Sequence, residues 1–292
     1  MSHFAEIRAR LREQLTKPGI VVAPGAGVAL GARLVEQAGF TAAYMSGYAV
    51  ECTYGKPDVG LMTLTEMSQR AAQMTDVISI PLVSDADTGY GNVVNVVRAT
   101  REFERAGVAA IQMEDQALPK KCGSMAGKAV VSTQEMVGKI KAFLDTRTDP
   151  NFLMIARTDA IAVEGMAAAM DRLHAYHEAG ADMLLVQGPY TPEEARAFLR
   201  KLPGPLAYLN SESFTMPMFP VHELEQLGAK LAIFPLALTL SAAHAMRKTL
   251  EVIKREGTTE AHAKHSMLGW AECNEVLGLS GVKKIEQTYG AD

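Results

Sequence analysis

Short apolar runs recur along this chain, and several are introduced by a charged helix end and a glycine. Four segments share the pattern: EQAGFTAAYMSG (36–47), ERAGVAAIQMED (104–115), EAGADMLLVQG (178–188) and EQLGAKLAIFP (225–235). The glycine suits the left-handed position that ends a helix, and the apolar run after it reads as a buried strand. Further runs at GIVVAPG (19–25), PLVSDAD (81–87), FLMIARTD (152–159) and PLAYLN (205–210) bring the candidate strands to eight. Helix-length patterns separate most of them, at 92–105, 133–145, 165–177 and 192–202. Near-continuous apolar strands alternating with helices imply a parallel sheet covered on both faces. Eight such units predict an α/β fold of the (β/α)8 TIM-barrel type over 1–256, against an open doubly wound sheet as rival. The usual size of such a barrel is about 250 residues. The remainder, 257–292, reads as a helical extension with two short helical patterns around 261–276 and a final one at 283–287. Such an appendage often packs on a neighbouring subunit.

Composition narrows the classes of function. The chain has 292 residues, 48% of them hydrophobic, so a large core can be buried. The net charge of −4 and the absence of a basic stripe argue against nucleic acid. The first residues, MSHFAEIRARLREQL, are amphipathic and charged and lack the apolar core of a signal peptide. No run approaches ~18 uninterrupted apolar residues, so no membrane span is expected. These features predict a cytoplasmic protein with reduced thiols. Three cysteines, Cys52, Cys122 and Cys273, form neither a disulfide framework nor a zinc spacing.

A (β/α)8 barrel places its chemistry where strands end and βα loops begin. Those ends carry Tyr44, Ser46 and Gly47, then Asp85 and Asp87, then Glu114, then Arg157 and Asp159, then Gln187 and Asn210. Asp85 and Asp87, two residues apart on an extended segment, project to the same side. Like charges so close call for a cation or a shared proton. Oxygen donors without His or Cys point to Mg²⁺ or Mn²⁺. Asp87 as direct ligand, with Asp85 and Glu114 acting through water, would suit Mg²⁺, which keeps several waters. By itself SDADTGYGN (84–92) fits a solvated Asp-rich turn equally well. PGAGVALG (24–31) has Leu30 where a dinucleotide fingerprint needs its third glycine, and no Walker lysine follows. Its glycines are expected to serve a turn and close packing.

The segment PKKCGSMAGK (119–128) follows directly on the strand bearing Glu114. Its cysteine should therefore hang over the barrel mouth. Gly123 and Gly127 allow motion, and Lys120, Lys121 and Lys128 supply positive potential. A free thiol has a pKa of roughly 8.5, lowered beside cations, and can act as nucleophile, acid or base.

Taken in order, MSG (45–47), DVGLMTLTE (58–66), SDADTGYGN (84–92), MEDQ (113–116), KKCG (120–123), ARTDA (156–160) and LN (209–210) resemble the isocitrate lyase/phosphoenolpyruvate mutase superfamily. The lysine-cysteine-glycine loop resembles its carbon–carbon lyase branch, that of methylisocitrate lyase and dimethylmalate lyase. The resemblance implies Mg²⁺ (or Mn²⁺), a small 2-hydroxy or 2-oxo acid substrate, and a homotetramer that swaps helices beyond the barrel. It places Asp58 with Asp85, Asp87 and Glu114 at the metal. It implies Tyr44 as base, its pKa lowered by metal or Arg157, and Cys122 as the acid that protonates a departing carbanion. Lys120, Lys121 and Arg157 join them as catalytic residues. Backbone N–H groups at Ser46 and Gly47 would bind the oxo-acid carboxylate, and Gly123, Ser124 and Asn210 would cradle the leaving acid. Two positions depart from the branch: Ser124 stands where a histidine is usual, and Gln187 where a glutamate is usual. They point to a substrate whose third carboxylate is different or missing. The rivals on the same barrel are an oxaloacetate hydrolase or decarboxylase and a phosphonopyruvate-type enzyme.

Overall fold

A computed structural model describes residues 3–290. Eight parallel strands close into one barrel in chain order: β1 (Val21–Ala26), β2 (Ala43–Met45), β3 (Leu82–Asp85), β4 (Ala110–Glu114), β5 (Leu153–Thr158), β6 (Met183–Val186), β7 (Leu206–Leu209) and β8 (Ala229–Phe234). β1 pairs with β8 through Val21 to Pro24 against Leu231 to Phe234, which completes the ring. The barrel and its eight strands are therefore as expected.

Two layers of apolar side chains explain the closure. Inward residues such as Val83, Ile155, Leu185 and Ile233 form one buried cluster. Alternate residues of the same strands, such as Leu82, Met154, Leu184 and Ala232, pack outward among Met67, Phe103, Phe143 and Leu173 of the helices. Strands apolar on both sides are what a helix-covered parallel sheet requires. The glycines of PGAGVALG do serve close packing. A Cβ on Gly25 would stand 2.5 Å from the Pro235 carbonyl oxygen, and one on Gly27 would stand 2.4 Å from that of Ala49.

The helices fall near their expected places, and three of them start at a side-chain cap. Val93–Arg105 starts at Asn92, whose side chain accepts from the Val94 N–H at 3.0 Å. Thr133–Thr146 starts at Ser132, and Pro192–Lys201 at Thr191 with Glu194 completing a capping box. A cap of this kind contributes about 1 kcal/mol.

The chain divides into two compact units, Met1–Ala237 and Leu238–Asp292. Within the second, the two short helical patterns expected around 261–276 are the helices Glu260–Ser266 and Trp270–Val276. Met267 and Gly269 between them adopt extended backbone, which interrupts the i→i+4 ladder. The last helix, Leu279–Tyr289, runs longer than the five residues expected. Among the described residues no helix is long and apolar enough to cross a membrane.

Candidate active site

The polar strand ends do converge. Tyr44, Asp85, Arg157, Gln187 and the loop residues Asp58, Cys122 and Gly123 line one pocket. The space inside is about 50 Å³. Cys122, Gly123 and Ser124 bring the loop 117–128 to the wall of this pocket.

Five carboxylates lie at this mouth. Asp85, at the end of β3, accepts the Asp87 N–H at 3.1 Å through one oxygen and the Gly47 N–H at 3.3 Å through the other. Burial first, and Asp87 second, raise its pKa to about 6. Asp87 takes a left-handed φ of 46°, and its carbonyl accepts the Glu114 N–H at 2.8 Å. Glu114, at the end of β4, meets Arg157 Nη1 at 3.0 Å with one oxygen. Its other oxygen is buried without a partner, and burial holds its carboxyl well above the usual range. Asp159 grips Arg157 at Nε (2.8 Å) and Nη2 (3.1 Å). Lys128 reaches Asp159 at 3.0 Å and also donates to the Gly123 carbonyl. Asp58 is the fifth acid, and its backbone carbonyl accepts the Cys122 N–H at 3.0 Å.

Lys120 has the least expected place. Its ammonium is buried between Asp58 Oδ1, in hydrogen-bond contact, and Asp87 Oδ1 at 2.6 Å. Five acids (Asp58, Asp85, Asp87, Glu114, Asp159) face three buried cations (Lys120, Lys128, Arg157). The acids outnumber the cations by two, and the upward shifts of Asp85 and Glu114 follow from burial together with that excess, which one divalent cation would offset. The donors are all oxygens, and Glu114 has one to spare. Among the described residues no three acids form a ready cage, so such an ion would need water in its shell or a shift of Lys120. With that provision the residues fit a hard divalent cation.

Cys122 differs from expectation in the sign of its shift. Burial, and then Asp58, push the thiol up to about 11, outweighing Arg157 and Lys120. The sulfur therefore carries a proton at neutral pH. Tyr44 is also raised rather than lowered: burial and Asp85 dominate, while Arg157 opposes them.

Several expected residues are engaged elsewhere. Lys121 donates its ammonium to the Gly127 carbonyl at 2.8 Å, and its backbone pairs with the Gln116 side chain, so it ties the loop to itself. Asn210 donates to the Phe219 carbonyl at 2.8 Å and accepts the Phe219 N–H at 2.9 Å, so its amide is spent holding the following loop. The Ser46 N–H donates to the Ala26 carbonyl at 3.2 Å, and the Gly47 N–H is taken by Asp85. Neither is free for a substrate carboxylate in this arrangement.

Other residues were not singled out and do line the pocket: Tyr48, Leu209, Ser211, Pro235 and Leu236. Ser211 directly follows the LN pair, and Pro235 and Leu236 directly follow β8, so strand-end position was the available signal. Ser124 is joined from across the mouth, with Ser213 Oγ at 2.7 Å and Thr215 Oγ1 at 3.1 Å.

Comparison with known proteins agrees with this geometry. The phosphoenolpyruvate phosphomutase family model matches residues 11–254. A 2,3-dimethylmalate lyase of Eubacterium barkeri is 43% identical over 282 residues, covering 96% of this chain and 97% of its own. The crystal structure of a 2,3-dimethylmalate lyase superposes with a TM-score of 0.91 at 33% identity, covering 100% of this chain and 96% of its own. A phosphonopyruvate hydrolase solved with oxalate and Mg²⁺ superposes with a TM-score of 0.88 at 31% identity, covering 99% of each chain. That relative's metal agrees with a divalent cation at the carboxylates here. By fold, site and sequence, the chain belongs to the phosphoenolpyruvate phosphomutase family within the isocitrate lyase/phosphoenolpyruvate mutase superfamily.

Proposed function

We propose that this chain is a carbon–carbon lyase that cleaves a 2-hydroxy dicarboxylate of the 2,3-dimethylmalate kind into a 2-oxo acid and a carboxylic acid. The observation that carries this reading is the protonated Cys122 thiol in the same pocket as Tyr44, Asp85 and Arg157.

The difficulty of the reaction is charge. Breaking the C2–C3 bond leaves its electron pair on a carbon beside a carboxylate. A divalent ion, Mg²⁺ in this reading, would be held by Asp87 with Asp85, Glu114 and Asp58, and would supply Lewis-acid stabilisation of the oxygen on C2. Tyr44 takes the 2-hydroxyl proton. Its raised pKa comes from burial and unbalanced acids, and offsetting that negative charge lowers it, so that the phenolate that accepts the proton can form. Arg157, locked between Glu114 and Asp159, presents charge to the oxo-acid half. Cys122 gives its proton to C3, and the proton taken by Tyr44 returns to the thiol through solvent before the next cycle. No water is consumed.

The leaving-acid end favours a dicarboxylate. Leu209, Pro235 and Leu236 are apolar, and Ser124 and Ser211 are neutral. The guanidinium on the lining, Arg157, is held by Glu114 and Asp159, and Lys128 by Asp159 and the Gly123 carbonyl. A third carboxylate would be buried there without a counter-ion. With Mg²⁺ and a panel of substrates, kcat/KM for 2,3-dimethylmalate should exceed that for 2-methylisocitrate by about 100-fold. Equal or reversed values would sink the dicarboxylate assignment.

Loop closure has its own test. A Cβ on Gly123 would stand 2.4 Å from Arg157 Nη2 and 2.7 Å from Gln187 Cγ. Gly123→Ala should hold the loop off the site and cut kcat about 100-fold without lowering the melting temperature. The proposal extends to a cytoplasmic homotetramer. Light scattering should then give four times the chain mass of 31.4 kDa.

A further inference from the structure

Asp115 directly follows Glu114 but faces the other way. Successive residues of an extended segment project to opposite sides, so Glu114 enters the mouth and Asp115 turns outward, to the helix Met166–Glu178. Asp115 is fully buried and does not line the pocket around Cys122. Its side chain collects four donors. Oδ1 accepts the Asp159 N–H at 2.9 Å. Oδ2 accepts the Thr158 hydroxyl at 2.6 Å, the Tyr176 hydroxyl at 2.8 Å and Arg172 Nη1 at 3.2 Å. A carboxylate offers about four acceptor sites, so this one is saturated. Arg172 and Tyr176, four residues apart, reach it from one buried face of their helix.

The backbone extends the same grip. The Asp115 N–H donates to the Arg157 carbonyl at 3.2 Å. Asp115 therefore holds three consecutive residues: Arg157 by its carbonyl, Thr158 by its hydroxyl and Asp159 by its N–H. Of these, Arg157 and Asp159 grip each other through their side chains at the mouth, and Thr158 between them points back to Asp115. On its other side, the Asp115 carbonyl accepts the Val131 N–H at 2.8 Å, and Arg172 Nη1 donates to the Val131 carbonyl at 2.8 Å. Val131 lies at the root of the loop that carries Cys122. Gln116 and Val130 pair there as an antiparallel bridge, and the Ala117 N–H donates to the Ala129 carbonyl at 2.8 Å. Glu164 fixes Arg172 in turn, at 2.8 Å from both Nε and Nη2. A buried ion pair by itself is weak evidence even for stability. The bonds of this one end on the backbone of the guanidinium's own residue and on the root of the thiol's loop.

We propose that Asp115, held by Arg172, is a positioning residue that fixes the Arg157 guanidinium and the root of the Cys122 loop against each other. The proposal rests on the roles given above to Arg157 and Cys122, and its test separates the two.

Calorimetric titration with oxalate in the presence of Mg²⁺ reads the Arg157 half without turnover, because oxalate presents the carboxylate and neighbouring oxygen of a 2-oxo acid. Asp115→Asn keeps the shape but turns an amide donor toward donors already in place. Oxalate affinity should fall about tenfold, and kcat for 2,3-dimethylmalate about 100-fold with a smaller rise in KM. Thr158→Val removes one of the four donors at constant shape and should weaken oxalate about fivefold, while Thr158→Ser, which keeps the hydroxyl, should bind as the parent does. Phe152→Leu, in the core just before β5, should lower the melting temperature too and leave oxalate affinity unchanged. If Asp115→Asn does not fold, the Thr158 pair decides. Affinities within about twofold of the parent in Asp115→Asn and Thr158→Val, or an equal loss in Phe152→Leu, would overturn the proposal, as would a parent chain that binds no oxalate. A parent chain that binds oxalate without cleaving dimethylmalate would refute the lyase reading alone, and the same oxalate comparison would still decide the role of Asp115.

Discussion

Replacing Cys122 by alanine is expected to lower kcat by about 10³-fold, the usual worth of a positioned general acid, while divalent-metal affinity stays as in the parent. The thiol is placed for this role by its backbone. Its N–H is fixed to the Asp58 carbonyl at 3.0 Å, and its carbonyl accepts the Met125 N–H at 2.8 Å. Burial and Asp58 keep it protonated, with a pKa of about 11, so it is an acid at neutral pH and a poor nucleophile. Serine at this position would restore volume without an acid of suitable strength, so Cys122→Ser should resemble the alanine variant. A reaction that leaves no carbanion to protonate would tolerate both. Steady-state kinetics paired with a Mn²⁺ titration separates a lost proton donor from a damaged metal site.

Arg157→Met should be the most damaging change for the molecule as a whole. The guanidinium is buried and holds two carboxylates at once, Glu114 at 3.0 Å and Asp159 at 2.8 Å. Without it, Glu114 keeps no side-chain partner and Asp159 keeps only Lys128. Removing one member of a buried ion pair costs about 3–5 kcal/mol, because the charge left behind has been desolvated without compensation. Urea unfolding should register that loss directly, and turnover should fall below detection. Arg157→Lys keeps the charge but lacks the planar fork needed to span both acids, so it should recover part of the stability and little of the activity.

The barrel was readable because its determinants are local and repeated. A glycine after a charged helix end, then four to six apolar residues, recurs at β2, β4, β6 and β8. The polar residues closing those strands also marked the mouth, since strand order in a closed parallel barrel fixes which ends meet. What escaped the sequence depends on contacts across long separations. Lys120 sits next to Lys121 and Cys122 in the chain, which suggests a cationic loop. In space it is buried between Asp58 and Asp87, sixty-two residues and thirty-three residues earlier. That pairing, together with burial, reverses the expected direction of the Cys122 shift. Asn210 looked free for substrate because its partner, Phe219, lies beyond an intervening loop.

The fate of the oxygen in the released acid tests the central claim most directly. In ¹⁸O-water with Mg²⁺, this chain should convert 2,3-dimethylmalate to equal amounts of pyruvate and propionate, with no solvent oxygen in the propionate beyond uncatalysed exchange. Chelation of the metal should abolish the conversion. Turnover of oxaloacetate with one solvent oxygen entering the oxalate, and none of dimethylmalate, would show a hydrolase and contradict the lyase assignment.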